Sequence, residues 1–120
     1  AKAKEGIYPA KSIMFLPADL KRRYFSQVGE DAFRISREIR ACVEFREHNL
    51  LKDAYPTGCH LIVCRNVLIY FTEAAKDKVF RNFYRTLVGG GILFIGSSEQ
   101  IMNHREIGYL RKNAFFYQKP

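Results

Sequence analysis

HLIVCRNVLIYF, residues 60–71, consists of two apolar runs parted by Arg65 and Asn66. A continuous apolar run of strand length usually belongs to a strand covered on both faces, as in parallel sheets. The first run ends at Cys64. In open α/β sheets, ligands bind outside the carboxyl ends of strands. Arg65 and Asn66 are therefore expected on that rim, where a cation and an amide need not be buried. Residues 67–71 then return apolar surface to the core under the segment that follows. From the residues alone, two readings of the polar pair stand: a ligand-facing Arg and Asn, or an arginine ion pair beside an asparagine that caps a turn.

Downstream, residues 72–87 carry the strongest helical pattern. Thr72 can cap the N-terminus and Glu73 suits the first turn. Val79, Phe83 and Leu87 recur every four residues, with Phe80 and Tyr84 beside them, and Lys76, Asp77, Arg81 and Arg85 cover the opposite face. Gly89, Gly90 and Gly91 are expected to stop this helix. ILFIG, residues 92–96, is a second buried strand. Strand, helix, glycine turn and strand make one βαβ unit over 60–96, with a right-handed crossover onto a parallel sheet. Residues 97–113 are polar and irregular, and AFFYQK, residues 114–119, reads as an edge strand.

Upstream, residues 1–11 are basic. Pro17, Ala18 and Asp19 open a short helix over LKRRYF, residues 20–25, which Gly29 ends. Phe33, Ile35, Ile39, Ala41, Val43 and Phe45 alternate with period two, interrupted near Ser36 and Arg37. Two short antiparallel strands fit this best, with an amphipathic helix over 32–43 as the competing reading. REHNLLKDAYPTG, residues 46–58, is loop with one helical turn, punctuated by Pro56 and Gly58.

The chain has 120 residues, enough for one core, and its hydrophobic fraction of 48% excludes a disordered tail. Its net charge of +8, from 20 Lys and Arg against 12 Asp and Glu, suits an acidic partner or simply a basic surface. AKAKEG at the start has no apolar stretch behind it, so no signal peptide is expected, and no run is long enough to span a bilayer. Three cysteines, Cys42, Cys59 and Cys64, in no paired spacing suit a reducing cytoplasm. Cys59, His60 and Cys64 match no common zinc pattern, and no metal is expected.

The triple glycine follows a helix and precedes a strand, the reverse of a phosphate loop. Gly96-Ser97-Ser98-Glu99 lacks nucleophile-elbow spacing, and no histidine is placed for a triad. Lys21 to Phe25, with Arg34, Arg37 and Arg40, mixes basic and aromatic residues. It carries no known nucleic-acid motif, so direct nucleic-acid binding is not expected.

CRNVLIYF followed by an amphipathic helix, a glycine turn and ILFIGSSE resembles the CheR-type chemotaxis receptor methyltransferases. EGIYP, LKRRYF with its alternating segment, and VEFREHNLL extend the resemblance over essentially the whole chain, in the same order. It implies an α/β fold: the C-terminal part of a Rossmann-like S-adenosylmethionine-dependent methyltransferase sheet. Residues 18–45 are then a small inserted subdomain with antiparallel strands, and 46–120 the C-terminal half of the sheet. The implied activity is methylation of glutamate side chains on the cytoplasmic helices of bacterial chemoreceptors, with S-adenosylhomocysteine as product, in the cytoplasm.

The resemblance assigns Asn49 and Leu50, and Cys64 and Arg65 with Asn66 beside them, to the cofactor, and places Tyr70 beside the reacting methyl group. It also implies that a first strand with a glycine-bearing cofactor loop, an acidic ribose ligand and a basic helical receptor-docking domain lie outside this chain. The chain is accordingly expected to be a fragment of a larger enzyme, with an unpaired sheet edge that favours self-association. The turn SQVGEDA is shorter than in members that grip a receptor's C-terminal pentapeptide, so that tether is not expected. A non-catalytic relative that binds a signalling partner is the alternative.

Overall fold

The computed structural model describes residues 2–96 and 100–120. The chain divides into two compact units, residues Ala1–Glu47 and His48–Pro120. Among the described residues no helix is long and apolar enough to cross a membrane.

The first unit is built on a three-stranded antiparallel sheet in the order β1-β3-β2. α1 (Lys2–Glu5) leads into β1 (Ile7–Tyr8), a 3-10 turn at Ala10–Ile13, and α2 (Ala18–Tyr24). β2 (Phe25–Gly29) and β3 (Ala32–Ile35) form a hairpin. The helix at LKRRYF stops at Tyr24 rather than at Gly29. From Phe25 onward the backbone gains more by pairing with β3, Phe25 opposite Ile35 and Ser26 opposite Arg34. The second strand expected from the alternation at 39–45 does not form. The Ser36 hydroxyl accepts a hydrogen bond from the Ile39 amide at 3.3 Å and caps a short helix, α3 (Arg37–Arg40). A capping serine offers the backbone a local partner that competes with a strand ladder.

The second unit carries a four-stranded sheet in the order β4-β5-β7-β6. β4 (Cys59–Cys64) pairs parallel with β5 (Leu87–Ile95), and α4 (Glu73–Thr86) makes the crossover between them. β7 (Phe116–Gln118) pairs antiparallel with β5 and with β6 (Leu110–Arg111), after the short α5 (His104–Ile107). The AFFYQK strand is thus internal, because the β6 hairpin arm covers its outer edge. Thr72 caps α4 as expected, its hydroxyl accepting from the Ala75 amide at 3.2 Å.

The triple glycine has a different role from the one its spacing suggests. α4 ends at Thr86 and the chain turns straight into β5 at Leu87, so the glycines lie inside the strand. There they absorb a register slip. Cys59 faces Leu87 while Leu61 faces Ile92, so two steps on β4 match five on β5. Gly90 takes φ +85°, and a Cβ on Gly91 would come within 2.9 Å of the Val88 carbonyl. Only glycine fits both demands.

α4 covers one face of the sheet. Val79, Phe80, Phe83 and Leu87 pack there with Cys64, Leu93, Ile95, Tyr109 and Tyr117 as one buried cluster. The Tyr109 hydroxyl donates to the Phe80 carbonyl at 2.7 Å, and its burial raises the phenol's pKa. The opposite face stays bare: Leu61 is 58% and Val63 60% exposed. Full coverage of the HLIVC strand is therefore not observed, since the single crossover helix supplies only one apolar layer.

Candidate functional site

β4 ends at Cys64, opposite Ile95 of β5, as the apolar run and its abrupt stop imply. Cys64 is buried in the core, and Arg65 and Asn66 follow exposed on the lip. Asn66 has φ +58°, the one non-glycine residue in the left-handed region among those described. Asparagine tolerates that region because its short amide can bond locally. This is the backbone conformation that the turn reading of Asn66 expects. The ion-pair reading of Arg65 finds no partner among the described residues, and Glu99 lies outside them. The Arg65 guanidinium lies over the Phe94 ring, 5.9 Å from the centroid. Asn66→Gly is expected to leave stability unchanged. Asn66→Val should lower it by about 1–2 kcal/mol, because a branched Cβ is strained at positive φ. Urea unfolding of the two variants checks this.

The loop that carries these residues is pinned by Leu68, which is fully buried, and by a hydrogen bond from the Phe71 amide to the Leu68 carbonyl at 3.0 Å. Tyr70 is 91% exposed in the same loop and engages no described residue. Its hydroxyl and ring face are thus open to a ligand.

Asn49 and Leu50 lie in different surroundings. The Asn49 side-chain oxygen accepts from the amides of Leu51 and Lys52 at 3.0 and 3.2 Å, while its own amide donates to Asp53 at 2.7 Å. This is a turn cap. Leu50 lines an apolar cavity of about 250 Å³ with Cys59, Leu61, Tyr55 and Phe83. The Tyr55 hydroxyl donates to the Leu50 carbonyl at 2.7 Å, and burial raises its pKa, with Cys64 near enough to add to the rise. Cys64, Arg65, Asn66 and Tyr70 therefore share one stretch at the rim. Leu50 instead shares its cavity with Cys59, Leu61 and Ile62 of β4, and Asn49 is held by its own turn.

A larger cleft of about 550 Å³, between α4 and residues 100–103, contains none of the six candidates. There Arg81 and then Asn103 hydrogen-bond the Asp77 carboxylate and lower its pKa. Residues 97–99, the serines and glutamate of the ILFIGSSE motif, lie outside the described residues. Sequence reading missed Phe94 and Gly96, which flank Arg65 from β5. The parallel ladder brings this about: Phe94 is level with Val63, two positions before Arg65.

A parallel βαβ unit with an arginine and an exposed tyrosine at the carboxyl end of its strand is the architecture of an α/β domain that holds a ligand at its rim. Residues 1–114 match the family described as CheR methyltransferase, SAM binding domain, and the chain belongs to that family. It is 43% identical over 118 residues to the chemotaxis protein methyltransferase of Listeria innocua, covering 98% of this chain and 45% of that protein. The protein of the same name from Borreliella burgdorferi is 35% identical over 111 residues, covering 91% of this chain and 39% of the relative. Chemotaxis protein methyltransferase 2 of Vibrio cholerae is 32% identical over 124 residues, covering 99% and 43%. The chain thus spans less than half the length of these relatives.

The family's cofactor is S-adenosylmethionine. It carries a carboxylate and an ammonium at its amino-acid end and a sulfonium between that end and the adenosine. Arg65 offers an exposed guanidinium that no described carboxylate occupies, and guanidinium suits a carboxylate by paired donors. Tyr70 offers an unengaged aromatic ring, and aromatic faces attract sulfonium-like cations. The residues present fit the cofactor.

Proposed function

We propose that this chain forms part of an S-adenosylmethionine-dependent methyltransferase that methylates glutamate side chains on the cytoplasmic helices of bacterial chemoreceptors. Residues 18–45 are an inserted subdomain in this reading, 46–120 the C-terminal half of the catalytic sheet, and the setting is the cytoplasm. The observation that carries it is Arg65, exposed at the carboxyl end of β4 and, among the described residues, meeting no carboxylate. The relatives' shared name and the family match add the class of reaction.

The bound cofactor supplies an electrophilic methyl group and leaves as S-adenosylhomocysteine. The chain's own residues have little chemistry to perform. A glutamate side chain has a reference pKa of about 4.3 and is ionised at neutral pH, so no general base is needed. Arg65 binds the cofactor's carboxylate. Tyr70 turns its ring toward the sulfonium and helps orient the acceptor. Asn66 sets the turn that aims both, and Cys64 roots the lip in the core. Asn49 and Leu50 contact the cofactor from the loop before β4. Alignment of this kind is worth up to roughly 7–11 kcal/mol in ideal cases.

The basic charge of +8 suits acidic receptor helices. The β2–β3 turn, only Glu30 and Asp31 between strands, supports a protein that works without a pentapeptide tether. The site is completed by sequence outside this chain, in keeping with the greater length of the relatives.

Calorimetry with S-adenosylhomocysteine tests the reading. Full-length protein should bind, and Arg65→Ala should bind roughly 10- to 150-fold more weakly, the equivalent of one lost charge-assisted contact, with the melting temperature unchanged. A full-length protein that gives no heat, or an Arg65→Ala variant whose melting falls in step with its affinity, would sink it.

A further inference from the structure

We infer that Phe94 is a positioning residue: its ring holds the Arg65 guanidinium in place at the rim of the bare sheet face. The inference rests on Arg65 binding the cofactor's carboxylate, as proposed above. Arginine has a long, freely rotating stem, and at this lip no described carboxylate fixes it. What it does have is the Phe94 ring, 5.9 Å from its central carbon.

That ring is itself held. Phe116, the ladder partner of Phe94 on β7, meets it edge-on with centroids 4.8 Å apart. Gly96, two residues further on, lies beside Arg65, so that a Cβ there would make ordinary van der Waals contact with Nε at 3.5 Å. The arrangement suits a carboxylate receptor. A guanidinium attracted to an aromatic ring uses its flat face, and the N–H donors around its edge remain free for an anion. Phe94 thus limits where the cation can go without consuming the donors it must present.

The test is calorimetry with S-adenosylhomocysteine on the full-length protein, combined with proton NMR of Arg65. Phe94→Leu keeps apolar bulk and removes the aromatic face. It should weaken binding roughly two- to fivefold and abolish the upfield ring-current shift of the Arg65 δ protons. Phe94→Tyr should restore both. In an Arg65→Ala background, Phe94→Leu should cost nothing further. Equal weakening in both backgrounds would mark Phe94 as merely structural or as a direct contact and overturn the inference. No weakening in either would overturn it too, while the role of Arg65 stands. Full affinity in Arg65→Ala, or no binding by the parent protein, would instead remove the reading beneath it and the inference with it.

Discussion

Phe83→Ala is expected to destabilise the second unit by about 3–5 kcal/mol, the usual cost of deleting a buried aromatic ring. Phe83 lies in the last turn of α4, is buried in the main cluster, and meets the Tyr55 ring at 5.8 Å. It also lines the cavity beside Leu50. Removal would enlarge that cavity and take away one of the two rings that Tyr55 meets. Domains of this kind are typically stable by only about 5–15 kcal/mol, so the variant should sit near its unfolding threshold. Urea unfolding followed by circular dichroism measures the loss. Phe83→Leu, which retains most of the apolar contact, should lose clearly less. A loss below about 1 kcal/mol for Phe83→Ala would contradict the packing described, since that is the range of a typical point substitution rather than of a core deletion.

Leu68→Ala carries the second large expectation, about 2–5 kcal/mol. Leu68 has no exposed surface, although it sits in a loop between a strand and a helix. Its neighbours Val67, Ile69 and Tyr70 all point outward. Leu68 therefore is the most deeply buried tie between the segment with Arg65, Asn66 and Tyr70 and the core, with Phe71 packed against the cluster beside it. Ile69→Ala, one position along, is the control and should stay within about 0.5 kcal/mol. Equal losses at both positions would contradict the burial that sets Leu68 apart from Ile69. Because Leu68 is an anchor and not a ligand contact, its loss should also loosen the rim.

Much of this was legible in the residues. The HLIVC run and the 72–87 periodicity placed β4 and α4 within a residue or so, because one buried face of a long helix repeats clearly at 3.6. The stop at Cys64 put Arg65 and Asn66 on the rim for the same reason. What was not legible came from partners remote in sequence. Gly89, Gly90 and Gly91 read as a helix stop, yet the parallel ladder with β4 drew them into β5. Residues 39–45 alternated like a strand, but Ser36 offered a cheaper local bond. AFFYQK looked like an edge until Leu110 and Arg111 folded beside it. The Phe94 support for Arg65 depends on strand register, which a glycine-rich strand such as β5, with its slip against β4, specifies only weakly from sequence.

The burial of Cys64 has a practical consequence. Of the three thiols, Cys42 is open to solvent, Cys59 is half-buried, and Cys64 is only 5% exposed. Its sulfur is sealed in the same cluster that holds Leu68. A thiol reagent reaches such an atom only during transient openings of the sheet. The rate at which the last cysteine is modified is therefore a clock for those openings, wired by the chain itself to the residue next to Arg65.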